Sequence, residues 1–109
     1  PQAGGQAMNN TKPKVVQSQR KLFPLGQIVA SPGALEVLEA SHQSPAEFLT
    51  RHARGDWGDL SADDIVENEF SLKNGFRLLS SYLTTSGEKL WVITEADRTL
   101  TTVLLPDEY

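Results

Sequence analysis

The segment from His52 to Gly58 holds the residue types that acid–base chemistry needs. Histidine is the side chain whose ordinary pKa lies nearest to neutrality, so His52 is a candidate general base. Arg51 or Arg54 would bind an anionic group of a substrate, and Asp56 would orient the histidine. With those roles, the segment would belong to a small hydrolase or nuclease-like enzyme.

The same segment also has a purely structural interpretation. His52 follows Phe48 by one helical turn, so both side chains would lie on the apolar face of one helix. Gly55 would end that helix, and Trp57 would fill the core with its indole N–H hydrogen-bonded locally. Because no nucleophile or second ligand stands near the histidine in the sequence, we favour the structural interpretation and lean away from an enzyme.

Metal and cofactor sites find little support in the sequence. The absence of cysteine excludes disulfides, thiol catalysis and cysteine-based metal sites. His42 and His52 are separated by the start of a helix, and neither a calcium loop nor a glycine-rich phosphate-binding loop is present. Asp63, Asp64 and Glu67 could hold a hard cation, but carboxylates in a first turn also favour the positive end of a helix dipole. We expect no metal and no cofactor.

Six carboxylates occur in residues 56–69, a stretch that contains no lysine or arginine. Such a run is usually a solvated face that caps helices. It also suits a basic partner, because carboxylates one helical turn apart lie about 5–6 Å from each other and can imitate phosphates. A protein that normally handles nucleic acid is therefore a candidate partner. The residues that we expect at this surface are Asp56, Trp57, Asp59, Asp63, Asp64 and Glu67.

Charge divides the chain into two regions. Residues 1–21 hold four basic residues and no acid, whereas residues 22–109 hold six basic residues against fourteen acids, a net charge of −8. The first region is rich in Gln, Gly and Asn, which predicts a flexible arm whose residues 1–7 are either native or a cloning remnant. We favour an arm that keeps the protein soluble. The alternative is a DNA-binding regulator that binds nucleic acid weakly, and only through the basic side chains of this arm: Lys12, Lys14, Arg20 and Lys21.

The rest of the chain predicts one α+β domain over residues 22–109. A β-branched run predicts a short strand at 25–30. Three helix starts follow, at Ser31-Pro32, at the capping box Ser44–Glu47 and at Ser61. Their predicted ends are Ala40, Arg54 followed by Gly55, and Asn74-Gly75. The twofold pattern that comes next predicts strands at 76–83, 89–94 and 100–105.

Short connections make these last three strands an antiparallel meander. We expect the middle strand to be buried on both faces, with Leu90 and Val92 on one and Trp91 and Ile93 on the other. Residues 100–105 would then form an edge that could pair with a second copy, so monomer and homodimer both remain open. No apolar run is long enough for a membrane span and no leader is evident, which predicts a cytoplasmic protein.

Four stretches together resemble a family of small, uncharacterised proteins of bacterial plasmids and integrative elements: residues 25–39, 44–60, 75–82 and 87–109. The most specific is the segment LWVITEADR. Members of this family are often labelled plasmid-related protein or modification subunit of a type I restriction enzyme. The chain lacks the catalytic Pro-Pro motif that an adenine methyltransferase of that class needs. The resemblance therefore implies a mobile-element context and a non-enzymatic accessory role, and it supplies no catalytic residue.

Overall fold

The computed structural model describes residues 20–109, and its elements follow the predicted order of one strand, three helices and three strands. The α+β class is therefore confirmed. The elements are β1 (Gln27–Ala30), α1 (Pro32–Ala40), α2 (Pro45–Ala53), α3 (Ala62–Asn74), β2 (Leu78–Leu83), β3 (Lys89–Thr94), β4 (Leu100–Leu104) and a 3₁₀ turn at Pro106–Glu108.

The three helices begin at the predicted serines, but only two of these use their side chains as caps. The hydroxyls of Ser31 and Ser61 accept the backbone N–H groups three residues ahead, at 3.0 and 3.2 Å. Ser44 makes no such bond. The Glu47 carboxylate instead accepts the amide of Gln43 at 2.9 Å, so the predicted capping box does not form.

The sheet has four strands rather than three, in the order β1-β4-β3-β2. The meander β2-β3-β4 is antiparallel as predicted, and β1 adds to it in parallel with β4, with Gln27 opposite Leu100. The prediction that residues 100–105 form a free edge is wrong, because β4 is hydrogen-bonded on both sides. A long-range contact holds this arrangement: the Thr101 hydroxyl donates to the carbonyl of Leu25 at 2.6 Å.

The core lies between the helices and the sheet face that carries Leu78, Leu90 and Val92, all of them fully buried. On the opposite face Ile93 is also buried, while Trp91 is half-buried beside the ring of Tyr109. The two-sided burial expected of β3 is therefore met except at Trp91. Among the helices that the structure describes, none has the length and apolar character required to cross a membrane.

Candidate functional site

His52 occupies the centre of the core, as the structural interpretation predicted. Its side chain has 0% exposure, and both ring nitrogens contact hydroxyls: Nδ1 lies 2.6 Å from Ser80 Oγ and Nε2 lies 2.9 Å from Thr94 Oγ1. The Thr94 hydroxyl in turn lies 2.7 Å from that of Thr101, which donates to the Leu25 carbonyl.

The Leu25 carbonyl at the end of this chain of hydrogen bonds fixes the direction of each hydrogen bond between it and His52 Nε2. Because the Thr101 proton goes to the carbonyl, its oxygen must accept from Thr94, and the Thr94 oxygen must accept from His52 Nε2–H. Burial lowers the pKa of the imidazole and opposes a charged ring, so Nδ1 carries no proton and accepts from the Ser80 hydroxyl. The histidine is therefore neutral, with its proton on Nε2.

Burial and the nearby Arg98 lower the pKa of His52 from 6.5 to about 3. Ser80 and His52 have the residue types of a nucleophile–base pair, but Ser80 is also fully buried. A substrate has no open path to either atom in this arrangement. The pair stabilises the core: it satisfies polar groups that would otherwise be buried without partners.

The other residues of the hydrolase hypothesis lie at the rim of this region, away from the imidazole nitrogens. The Arg51 guanidinium donates to Asp56 at 2.7 Å and stacks 4.5 Å above the ring centroid of Tyr82. The hydrogen bond from Arg51 holds the pKa of Asp56 below its usual range. Asp56 therefore pairs with the arginine and does not orient His52. Arg54 lies at the end of α2 and makes no ion pair within residues 20–109.

Trp57 is only 4% exposed and belongs to the core, as the structural interpretation of its segment predicted. The expectation that Trp57 also lies at the acidic partner surface is wrong, because its side chain is buried. Its ring packs edge-on to His52, with centroids 5.8 Å apart. The indole N–H donates to the Glu69 carboxylate at 2.7 Å, so its partner comes from α3 and not from the local turn. Trp57 therefore links the core to α3, the helix that carries the exposed carboxylates.

Apart from Glu69, which accepts the Trp57 indole N–H, the acidic run separates into two groups of carboxylates. Asp56 and Asp59 are paired with cations, Asp59 through Lys89 at 3.4 Å. The second group is exposed and makes no salt bridge with any described residue; it comprises Asp63, Asp64 and Glu67 of α3. This second group is the part of the expected surface that is available to a partner.

The buried residues of helix α3 are polar, whereas two of its large apolar residues, Val66 and Phe70, are exposed. Asn68 and Ser71 are its buried residues. The Asn68 side chain pairs with the β2 backbone as a neighbouring strand would, because its Oδ1 accepts the Leu79 N–H at 3.1 Å and its Nδ2 donates to the Leu79 carbonyl at 2.5 Å. This double hydrogen bond fixes which side of α3 faces the sheet.

The opposite side of α3 therefore exposes large apolar groups. Val66 is 68% exposed, Phe70 56% and the nearby Phe76 53%. The two phenylalanine rings stack with centroids 5.9 Å apart. Arg98 fixes the backbone at the end of α3, because its guanidinium donates to the carbonyls of Phe76 at 2.7 Å and Ser71 at 3.2 Å.

These features meet at a groove of about 700 Å³ beside α3. Its lining includes the carboxylates of Asp64 and Glu67, the rings of Phe70 and Phe76, and one cation, Arg77. We call the exposed set Asp63, Asp64, Val66, Glu67, Phe70 and Phe76 the α3 face. It combines apolar rings with unpaired carboxylates, which suits a basic segment that also carries an apolar side chain.

Of the basic arm, Arg20 and Lys21 are exposed, whereas Lys12 and Lys14 lie outside the described residues. Within residues 20–109 no group of three histidine or carboxylate side chains is placed to hold a metal ion.

Taken together, the fold and its surface define a small α+β domain with a mixed four-stranded sheet and an acidic, partly apolar helical face. No family model, curated protein or solved structure matches the chain. The functional argument therefore rests on the geometry of the domain.

The sequence did not reveal Val66, Phe70, Phe76, Asn68 or Arg98 as parts of this region. Apolar residues on a short helix usually face a core, so their exposure carries no signal in the sequence. Asn68 acts through Leu79, eleven residues away, and Arg98 reaches Phe76, twenty-two residues away. Neither contact has a periodic pattern that a reader of the sequence could recognise.

Proposed function

We propose that this domain is a non-enzymatic protein-binding module whose α3 face engages a basic segment of a partner. The observation that carries the proposal is the orientation of α3, which exposes Val66 and Phe70 beside unpaired carboxylates. The exposed Phe76, just after the helix, stacks on Phe70. Single exposed apolar residues are ordinary on protein surfaces, but a stacked aromatic pair next to a further exposed valine forms a patch.

The chemistry of the face favours a partner that normally contacts nucleic acid. Asp63 and Glu67 are one helical turn apart, a spacing that allows them to take the positions of phosphates in a basic groove. Phe70 would supply the apolar contact that a phosphate backbone lacks. An accessory protein of a mobile genetic element that acts on a host or defence protein would have these properties, in keeping with the family resemblance of the sequence.

Charge reversal of the α3 face tests the proposal. The full chain serves as bait in nuclease-treated bacterial lysate, the retained protein is identified, and its affinity for purified bait is measured by calorimetry. The double variant Asp63→Lys/Glu67→Lys should weaken binding at least tenfold, because two attractions become repulsions. A second variant, Phe70→Ser, should also weaken it.

The matched control is Glu36→Lys/Glu39→Lys, which makes the same change of charge at two exposed positions of α1. Equal affinities of the α1 and α3 charge variants would show that net charge, and not the α3 face, governs binding. Unchanged affinity of the Asp63/Glu67 variant would contradict the proposal.

A further inference from the structure

The two edges of the sheet differ in how their backbone groups are satisfied. At the β2 edge, the Asn68 side chain hydrogen-bonds to both the N–H and the carbonyl of Leu79. The backbone of Ser81 is satisfied by the segment Trp57–Asp59: its N–H donates to the Trp57 carbonyl at 3.1 Å, and its carbonyl accepts from the Asp59 N–H at 2.7 Å. This edge therefore offers no place for another strand.

The β1 edge is open within the described part of the chain. Gln27 N–H donates to Thr99 at 2.9 Å and Ser31 N–H donates to Val103 at 2.9 Å, so alternate residues of β1 face β4. The peptide groups between them, those of Ile28 and Ala30, point to the other side. Because β1 is the outermost strand, no other strand of residues 20–109 pairs with this side.

An apolar groove of about 270 Å³ runs beside this open edge, between β1 and α2. Apolar or small side chains from both elements form its walls: Leu25, Ile28, Ala46, Leu49, Thr50 and Ala53. Ile28 is 48% exposed although it belongs to a strand. An extended chain added to the edge would place alternate side chains against these walls.

Two cations, Lys21 and Arg54, complete the lining of the groove, and no carboxylate lines it. Neither cation makes a salt bridge within residues 20–109. The Nε atom of Arg54 is buried and has no hydrogen-bond partner there. The nearby Asp56 is paired with Arg51 instead. The unsatisfied charge of the groove is therefore positive.

We propose that the groove between β1 and α2 binds an acidic, extended peptide segment of a partner protein. The main chain of this segment pairs with Ile28 and Ala30 as a fifth strand. An apolar side chain packs against Leu25 and Leu49, and a carboxylate pairs with Arg54 and Lys21. This site shares no residue with the α3 face and requires a ligand of opposite charge, so it is independent of the function proposed above.

Fluorescence anisotropy with the full chain tests this assignment. The probes are fluorescein-labelled eight-residue peptides in which valine alternates with threonine and two glutamates stand at one end. Versions with the glutamates at either end cover both strand directions. One version should bind, its lysine-ended counterpart should bind at least tenfold more weakly, and N-methylation of all its residues should abolish binding because it removes the main-chain donors in either strand direction.

Charge variants of the protein locate the site. Arg54→Glu and Lys21→Glu should each weaken binding of the glutamate peptide about tenfold or more, whereas Lys73→Glu, the same change on α3, should leave it within about twofold. Because Lys21 is exposed, its variant remains informative if Arg54→Glu does not fold.

Three results would overturn the assignment. One is the absence of binding by both glutamate peptides at millimolar concentration. Another is equal binding of the N-methylated peptide. The third is a dimer in analytical ultracentrifugation that Ile28→Pro disrupts and that excludes the peptides, which would assign the edge to a second copy of this chain.

Discussion

Mild acid should destabilise this domain through a single buried side chain. His52 is neutral in the folded protein, and its pKa falls from 6.5 to about 3 because burial and the charge of Arg98 both oppose protonation. In the unfolded chain the imidazole is exposed to water and titrates near its ordinary value. The folded and unfolded states therefore bind different numbers of protons below neutral pH.

The sign follows from which state takes up the proton. As the pH falls below 6.5, the unfolded chain gains a proton at His52 and the folded protein does not, so acid favours unfolding. The loss continues until the pH reaches about 3, where the folded form is protonated as well. The free energy of unfolding should fall by about 2 kcal/mol between about pH 7 and about pH 5. That interval lies above the ordinary pKa values of carboxylates, so it isolates the histidine.

Urea denaturation of the full chain, followed by the fluorescence of the buried Trp57, measures this free energy at each pH. The variant His52→Gln should be less stable at neutral pH by about 2–3 kcal/mol, because the hydroxyls of Ser80 and Thr94 lose a well-placed partner. It should also lose most of its pH dependence. The control is His42→Asn, since His42 is exposed with φ +57° and asparagine tolerates that conformation.

A wild-type free energy of unfolding that stays constant between about pH 7 and about pH 5 would refute the reasoning. So would a pH dependence that disappears in the His42 variant and persists in the His52 variant. If His52→Gln does not fold, proton NMR of the native chain decides the matter: a His52 imidazole that titrates above about pH 5 contradicts the buried, neutral state.

Two pairs of matched substitutions test the packing around the sheet by urea denaturation. A Cβ at Gly58 (φ +80°) would lie 1.9 Å from the carbonyl oxygen of Ser81, so Gly58→Ala should cost at least ~3 kcal/mol. Gly87 has a similar backbone conformation (φ +87°), but a Cβ there would meet no atom within 4 Å, so Gly87→Ala should cost only about 1 kcal/mol. Equal losses of stability in the two variants would show that backbone strain, and not the contact with Ser81, sets the cost. Asn68→Ala removes two hydrogen bonds to the β2 backbone and should cost about 2 kcal/mol. Asn74→Ala, on the exposed side of α3, should stay within about 0.5 kcal/mol, and a similar loss from both variants would contradict the role of Asn68.

Local signals in the sequence determined most of the secondary structure. Ser31 and Ser61 cap helices because their hydroxyls bond backbone groups only three residues away. Gly75 ends α3 in the left-handed conformation, which costs glycine little. The strand at 89–94 has the predicted bounds, because alternation and turn residues are also short-range properties. The core position of His52 follows from its helical spacing, one turn after Phe48.

The tertiary structure decided which surfaces these elements present. The parallel pairing of β1 with β4 joins residues more than seventy positions apart, and it moved the free edge from 100–105 to β1. The hydrogen bonds between Asn68 and β2 orient α3 so that Val66 and Phe70 face solvent, although apolar groups are usually buried. Both outcomes depend on hydrogen bonds between distant backbone and side-chain groups. Such bonds leave no periodic trace in a sequence, because each satisfies a polar group that becomes buried only when the chain folds.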